Sequence, residues 1–389
     1  MFNFHVTLYS CKQALLLITF FALIAASTTA TLPKPAGKYG VHLSTTKLTD
    51  ETRIDPFAST HQFRSVMISA FYPAASTGEC RTRLVDYEYM PPATAAIESQ
   101  FYSQYGLPTG TFEKLQLSLC KVDCRIGPLD EFPIVLFSPG LGNSRLLYSA
   151  MAQSIASFGN IVISIDRPYD ANVVEYPDGT LVFAANISSD AQINLDVETR
   201  AQDASFVLDQ LSLASTVQRL FPSAKGHLKT HKVTMYGHSV GGAAAATTML
   251  NDSRIIGGVN LDGSFFGPVI EQGLNLPFLI FGHEGKNQST DPSWKAIWPQ
   301  LRGWKLELML HGAQHATFSD LPLLVKVLGL DKVLPPEAAT LLGTLDGARA
   351  LDVVSAYLVA FFDFVRSGIP AHLLQGPAQE YPEVSFVAT

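Results

Sequence analysis

Charged residues are scarce in this chain. They make up 16% of its 389 residues, against about 25% in typical soluble domains. A disordered chain is excluded, because disorder requires many charges and few apolar residues, whereas 47% of these residues are hydrophobic. The formal charge is −7, from 27 basic and 34 acidic residues. No basic excess could therefore attract nucleic acid or an anionic membrane surface, and neither is expected as a partner.

Cysteines and long apolar runs are also few. Four cysteines in this length do not suffice for a small disulfide-stapled scaffold. The apolar run at 14–26 is shorter than the roughly 20 residues that cross a bilayer. A lysine precedes it and small residues follow it to Ala30, as in a secretory signal peptide. We therefore predict a signal peptide over 1–30 and a secreted protein without a stable membrane span; an uncleaved anchor is the alternative.

Modification sites and cysteine pairing follow from the predicted export. Three Asn-x-Ser sequons supply glycosylation candidates at Asn186, Asn251 and Asn287. Removal of the signal peptide leaves Cys80, Cys120 and Cys124, an odd number, so we expect one disulfide and one remaining thiol. On one helical turn, Cys120 and Cys124 would hold their Cβ atoms about 5–6 Å apart, whereas a disulfide needs about 3.8 Å. We therefore expect Cys80 to pair with one of these two.

Apolar runs alternate with helical patterns along most of the chain. Runs rich in β-branched and aromatic residues predict strands at 64–72, 132–137, 161–165, 232–236, 255–261, 277–281 and 305–310. Helical patterns lie at 145–158, 190–213, 240–250 and 350–365. This alternation predicts βαβ units in a single α/β domain, 31–389, with a mostly parallel, doubly wound sheet of about eight strands.

The segment 74–130 interrupts this alternation. It contains many aromatic residues and the three cysteines of the mature chain, and it shows no pattern of a sheet strand. Insertions of this length are commonly either lids or disordered segments, and the aromatic residues argue against disorder. We predict a cap-like insertion, which is either a functional lid or a packed cap over the sheet edges.

A G-x-S-x-G motif, formed by Gly237, Ser239 and Gly241, gives the strongest functional signal. It follows the predicted strand 232–236 and opens the predicted helix 240–250, which is the context of a nucleophile elbow. The strained turn lifts the serine hydroxyl above the sheet, and the helix N-terminus can stabilise a developing oxyanion. We predict Ser239 as a nucleophile; a tight turn without chemistry is the alternative.

The acid and the base should follow such a serine in that order in an α/β-hydrolase. Asp262 directly follows a predicted strand and precedes a glycine, which places it at the ligand-binding edge of the sheet. Glu284, after the next strand, is the rival acid. His315 follows the last predicted strand and is expected to be the base, with His311 as its rival. Gly312 interrupts any helix joining the two histidines, and no H-E-x-x-H motif is formed, so no metal is expected.

The loop after the predicted strand 132–137 reads Ser-Pro-Gly-Leu-Gly-Asn. Its glycines allow the backbone to approach a substrate, so we predict that the amides of Leu141 and Val240 form an oxyanion hole. His238 and His283 are assigned to structural packing. The chain has no G-x-x-x-x-G-K-[ST] or G-x-G-x-x-G pattern, and no cofactor is expected.

These residues resemble the plasma-type platelet-activating-factor acetylhydrolase family of secreted α/β-hydrolases. The resemblance spans about 64–364 and rests on the blocks 137–142, 145, 148–150, 237–243, 261–263, 315 and 318. It implies an α/β-hydrolase fold, a triad of Ser239, Asp262 and His315, and oxyanion amides at Leu141 and Val240. The chain has Pro139 where the family pattern has histidine, and it also departs from that pattern at 165–170.

We therefore expect a secreted serine esterase that removes short acyl groups through an acyl-enzyme. The resemblance implies the sn-2 acetyl ester of a 1-alkyl-2-acetylglycerophosphocholine as substrate. A cutinase-like or polyester-hydrolase-like carboxylesterase is the alternative, and a serine peptidase would use the same triad. A catalytically silent hydrolase fold used for binding is a further alternative, although it would ordinarily lack a triad residue.

Overall fold

The computed structural model describes residues 29–75, 79–121, 124–222 and 224–389. The predicted signal peptide lies outside the described residues, apart from its last two positions. All residues predicted to act in catalysis fall within the described part.

Secondary structure covers most of the described chain. The strands are β1 (Ala30–Thr31), β2 (Val41–Ile54), β3 (Phe63–Pro73), β4 (Leu84–Glu88), β5 (Leu115–Cys120), β6 (Ile134–Ser138), β7 (Ile161–Asp166), β8 (Val173–Glu175), β9 (Leu181–Phe183), β10 (Val233–His238), β11 (Ile255–Leu261), β12 (Phe278–His283), β13 (Lys305–Leu310) and β14 (Val384–Ala388). The α-helices are α1 (Glu79–Thr82), α2 (Pro92–Tyr102), α3 (Ser149–Ser157), α4 (Asp190–Leu211), α5 (Ala214–Leu220), α6 (Val240–Asn251), α7 (Val269–Gln272), α8 (Pro292–Ile297), α9 (Leu321–Val327), α10 (Ala339–Leu342) and α11 (Gly347–Ser367).

The main sheet has nine strands in the order β14-β13-β12-β11-β10-β6-β7-β3-β2. The six strands from β13 to β7 run parallel, whereas β14, β3 and β2 join in antiparallel pairs at the two sides. Strands β6, β7 and β10 are buried along their whole length, because their apolar residues are covered by helices on both faces. The mostly parallel sheet and all seven predicted strands are confirmed.

Helices cover both faces of this sheet. Buried residues of α3, α9 and α11 pack in one hydrophobic cluster, and those of α4, α6 and α8 pack in a second cluster. Local signals set the ends of the long helices. The Ser189 hydroxyl accepts from the backbone N–H of Gln192 where α4 begins, and Gly368 ends α11 in the left-handed conformation, with a φ of 75°.

The insertion 74–130 has strands of its own, contrary to the sequence-based expectation. Strands β4 and β5 pair with each other and with β1 in a separate three-stranded sheet. A disulfide joins Cys80 to Cys120, one of the two pairings predicted, and Cys124 is buried beside it. Because residues of α2 and β5 belong to the hydrophobic cluster that contains α3, the insertion packs against the body of the protein.

Candidate active site

Ser239 lies at the tight turn between β10 and α6. Its φ of 56° is positive, which is strained for a residue with a side chain. The neighbouring glycines are required by close approach of the backbone. A Cβ on Gly237 would lie 2.0 Å from the carbonyl oxygen of Gly241, and one on Gly241 would lie 2.0 Å from that of Ser138. The turn therefore has the geometry expected of a nucleophile elbow.

Asp262 and His315 meet at the same edge of the sheet. Asp262 directly follows β11 and is fully buried, whereas the His315 side chain is 44% exposed. Nδ1 of His315 lies 2.5 Å from Oδ2 of Asp262, so the imidazole is oriented by the carboxylate. Burial alone would raise the pKa of Asp262, but hydrogen bonds from His283 and His315 outweigh it and hold this pKa well below its usual range. The carboxylate is therefore ionised at neutral pH.

His283 also donates to Asp262, a role that the sequence analysis missed by assigning this histidine to packing. Its Nδ1 lies 2.7 Å from Oδ1 and 2.8 Å from Oδ2, and its backbone N–H donates to Oδ1 at 3.0 Å. The sequence shows only that each residue lies at the end of an apolar run; the structure shows that the two strands are neighbours. His283 ends β12, which is the parallel neighbour of the strand that Asp262 follows.

His238, which precedes the serine, is buried and connects to the loop of His315. Its Nε2 donates to the carbonyl oxygen of His315 at 2.9 Å, and its ring centroid lies 4.5 Å from that of His315. Its Nδ1 accepts from the Tyr148 hydroxyl at 2.8 Å. Burial, together with the nearby His315 ring, lowers the pKa of His238 to about 3. His238 is therefore neutral and fixed in one tautomer.

The glycine-rich loop after β6 approaches the serine from the other side. A Cβ on Gly140 would lie 3.3 Å from the Cβ of Ser239. The Tyr148 hydroxyl accepts from the backbone N–H of Gly140 at 3.3 Å and from Nδ2 of Asn143 at 3.2 Å, which fixes the loop. Residues Leu141 and Val240, whose amides were predicted as oxyanion donors, are both partly exposed beside this serine.

A buried arginine also forms hydrogen bonds with the residues that begin this loop. Arg200 donates to the carbonyl oxygen of Pro139 at 2.5 Å and to the Ser138 hydroxyl at 3.2 Å. Its charge is balanced by Asp170 at 2.5 Å and Asp196 at 2.7 Å. Sequence reasoning missed this network, because a buried charge pair leaves no periodic signal. Asp170 belongs to the segment 165–170, in which the chain departs from the family pattern.

The rival acid and base contact each other instead of the serine. His311 Nδ1 lies 3.5 Å from Oε1 of Glu284, and the side chains are 41% and 54% exposed. Glu284 also accepts from the backbone N–H of Gly312, and His311 Nε2 lies 2.7 Å from the Ser385 hydroxyl. Asp262 and His315, by contrast, supply the carboxylate and the imidazole that meet beside β10.

The insertion reaches the glycine-rich loop through α2. The Tyr102 hydroxyl, at the end of this helix, donates to Oδ1 of Asn143 at 3.3 Å. One turn earlier, the buried carboxylate of Glu98 accepts from Nδ2 of Asn172, whose backbone N–H donates to the carbonyl oxygen of Gly142. The cap-like insertion therefore contacts the loop predicted to hold the oxyanion.

Two proteins are similar to this chain over nearly its whole length. A probable 1-alkyl-2-acetylglycerophosphocholine esterase of Arthroderma benhamiae is 32% identical over 379 residues, which cover 92% of this chain and 93% of that protein. A solved ferulic acid esterase from Streptomyces cinnamoneus is 30% identical, has a TM-score of 0.77 and covers 93% of this chain and 100% of its own. With the geometry above, these similarities define a carboxylic ester hydrolase with an α/β-hydrolase fold.

The family follows from a match to a family model. The model for platelet-activating factor acetylhydrolase, isoform II, matches residues 24–367. The platelet-activating factor acetylhydrolase of Cavia porcellus is 25% identical over 259 residues, which cover 60% of this chain and 57% of that protein. This chain belongs to the platelet-activating factor acetylhydrolase family, as its motifs predicted. In the part of the chain that the structure describes, no helix has the length and apolarity needed to cross a membrane.

Proposed function

We propose that this protein is a secreted serine esterase that hydrolyses short-chain acyl esters, with the sn-2 acetyl ester of a 1-alkyl-2-acetylglycerophosphocholine as its substrate. The observation that carries the proposal is the 2.5 Å contact between Asp262 and His315 next to the strained turn of Ser239. The name of the Arthroderma benhamiae relative supports this choice of substrate.

The proposed reaction proceeds through an acyl-enzyme. Because Nδ1 of His315 donates to Asp262, its Nε2 is free to accept the Ser239 proton as the oxygen attacks the ester carbonyl. The amides of Leu141 and Val240 donate to the oxyanion, and the protonated His315 then donates its proton to the departing alcohol. Water, deprotonated by His315, hydrolyses the acyl-enzyme and restores the serine. Asp262 stabilises the imidazolium in both halves of the reaction.

Secretion and glycosylation belong to the same proposal. The Cys80–Cys120 disulfide is consistent with an oxidising compartment. Asn186 and Asn251 are exposed, as glycosylation requires, and Asn287 is half-buried. Expression in a secreting eukaryotic host should yield a mature chain that begins near residue 31 and loses mass on treatment with an N-glycosidase.

A carboxylesterase for other esters is the second candidate. The match to the ferulic acid esterase from Streptomyces cinnamoneus covers 93% of this chain, and the name of that enzyme favours an aromatic ester such as a ferulate. This candidate includes the cutinase-like and polyester-hydrolase-like activities considered above. It uses the same three side chains and differs only in the groups that bind the acyl and alcohol parts.

A substrate panel tests the proposal. The full mature chain is assayed with an acetyl ether phospholipid, with acetyl, butyryl and octanoyl esters of a chromogenic alcohol, with a feruloyl ester and with a polyester film. The proposal predicts the highest kcat/KM for the acetyl ether phospholipid and no hydrolysis by Ser239→Ala. Preference for the feruloyl ester or the film would support the second candidate, and no activity on any ester would indicate a binding protein.

A further inference from the structure

Asp262 is shared by two imidazoles, and together these side chains offer a donor set for a metal ion. One ligand atom from each of Asp262, His283 and His315 can be chosen so that all three lie within 4.8 Å of one another. Two imidazole nitrogens and one carboxylate oxygen suit Zn²⁺ and other divalent transition metals. This set differs from the pair His311 and His315, at which no metal was expected, because it is completed by a histidine from the neighbouring strand.

The contacts between the imidazoles and the carboxylate must lengthen for a metal ion to bind. Bonds from Zn²⁺ of about 2.0–2.1 Å in tetrahedral geometry separate the ligand atoms by about 3.3 Å. Oδ2 of Asp262 now lies 2.5 Å from Nδ1 of His315 and 2.8 Å from Nδ1 of His283. Both imidazoles can move, because the side chains are 25% exposed for His283 and 44% exposed for His315. The exposed side leaves room for water as the fourth ligand.

The charges around the cluster are nearly balanced. Lys286 donates to the carbonyl oxygen of Asp262 at 2.7 Å and lies 3.4 Å from Asp291, which offsets its charge. His238 is neutral and buried on the other side of His315. The nearby ammonium weakens the attraction of a divalent cation, so we expect modest affinity and reversible binding.

We propose that Asp262, His283 and His315 bind a divalent transition-metal ion, and that the bound ion inhibits the esterase. The inhibitory part rests on the proposed function. A metal on Nδ1 of neutral His315 forces the ring proton from Nδ1 to Nε2, with no net release of a proton. Nε2 then has no lone pair to accept the proton of Ser239, and the serine is not activated.

Binding is measured separately from activity, on the Ser239→Ala variant of the full mature chain. Titration with Co²⁺ should produce the visible absorption of a tetrahedral site, and Zn²⁺ should displace the signal. His283→Asn should weaken Co²⁺ binding by about tenfold or more, whereas His311→Asn, the matched control, should bind as tightly as its parent. His283→Gln is a second variant, and circular dichroism checks the folding of each.

Inhibition is then measured on chains that retain Ser239. Zn²⁺ should inhibit ester hydrolysis and fluorophosphonate labelling of the wild type and of His311→Asn, and a chelator should restore both. Each rate is compared with that of the same variant without metal, and His283→Asn should resist inhibition. Absence of a Co²⁺ spectrum, or equal binding by folded His283→Asn and His283→Gln, would refute the metal site. A His283-dependent spectrum in a chain that hydrolyses no ester would support the site and refute the proposed function instead.

Discussion

The hydroxyl of Tyr148 lies 2.8 Å from Nδ1 of His238, so one buried hydrogen bond connects the two loops that frame Ser239. On one side, the same hydroxyl accepts from the backbone N–H of Gly140. On the other, His238 donates to the carbonyl oxygen of His315. The neutral imidazole of His238 therefore fixes the position of the glycine-rich loop relative to the loop that contains His315.

Removal of the Tyr148 hydroxyl tests this connection. Tyr148→Phe leaves the buried Nδ1 of His238 without its donor, so we expect a loss of about 1–3 kcal/mol in the free energy of unfolding. Because both loops are released, kcat should fall more than KM changes. Urea unfolding and steady-state kinetics measure the two effects. Tyr357→Phe is the matched control, since this buried hydroxyl has no hydrogen-bond partner in the described structure; equal effects in both variants would contradict the proposed connection.

Replacing each candidate base in turn shows which of the two histidines acts as the general base. His315→Ala should reduce kcat by roughly a thousandfold or more, because the serine loses its general base. His311→Ala should change kcat by less than about threefold, since its imidazole lies against the exposed Glu284. Both variants are compared by the initial rate on an acetyl ester. A large loss in His311→Ala with activity retained in His315→Ala would reverse the assignment.

Glu98 should make stability depend on pH. Burial raises the pKa of this carboxyl to about 7, although the hydrogen bond from Asn172 opposes the shift. Between its unfolded pKa of 4.5 and about 7, the unfolded chain loses this proton while the folded chain keeps it. This difference lowers the free energy of unfolding as the pH rises through the window. Above the window, Glu98 causes no further decrease.

Glu98→Gln should remove that contribution. We expect the variant to gain stability relative to the wild type between pH 5 and 8, with the difference smallest at the acidic end, as measured by urea unfolding across this range. Glu337→Gln, at an exposed position, is the control and should follow the wild type. A difference between Glu98→Gln and the wild type that does not grow with pH would contradict the prediction.

The disulfide should stabilise the insertion. Cys80 and Cys120 are 40 residues apart in the chain, so their bond restricts a long loop of the unfolded chain. Replacement of both by alanine should lower the free energy of unfolding by about 2–5 kcal/mol. Peptide mapping without reductant should recover Cys80 linked to Cys120. Recovery of a Cys80–Cys124 link would show that the other predicted pairing forms in solution.

The central strands and the serine turn were predictable because their signals are local. Strand β7 is mostly apolar, with four aliphatic residues among its six, and it is buried along its whole length. The turn at Ser239 requires glycines at fixed spacing, which the chain shows directly. Asp262 could be placed because it ends a recognisable strand, and the order of the acid and the histidine in the fold then favoured His315.

Edge strands and cross-strand contacts were not predictable in the same way. Strand β2 lies at the edge of the sheet, and its polar residues alternate irregularly with apolar ones, so no buried-strand pattern arises. Strand β14 lies at the opposite edge, and β4 and β5 are short pieces of a separate sheet. The contact between His283 and Asp262 depends on which strands are neighbours, which periodicity alone does not specify.

Covalent labelling of the full mature chain by a fluorophosphonate tests the central claim most directly, because it requires an activated serine but no particular substrate. Intact mass and peptide mapping should show one adduct, on Ser239, and its formation should be lost in His315→Ala and preserved in His311→Ala. An unlabelled wild-type chain, or an adduct on another serine, would contradict the assignment of Ser239 as the nucleophile.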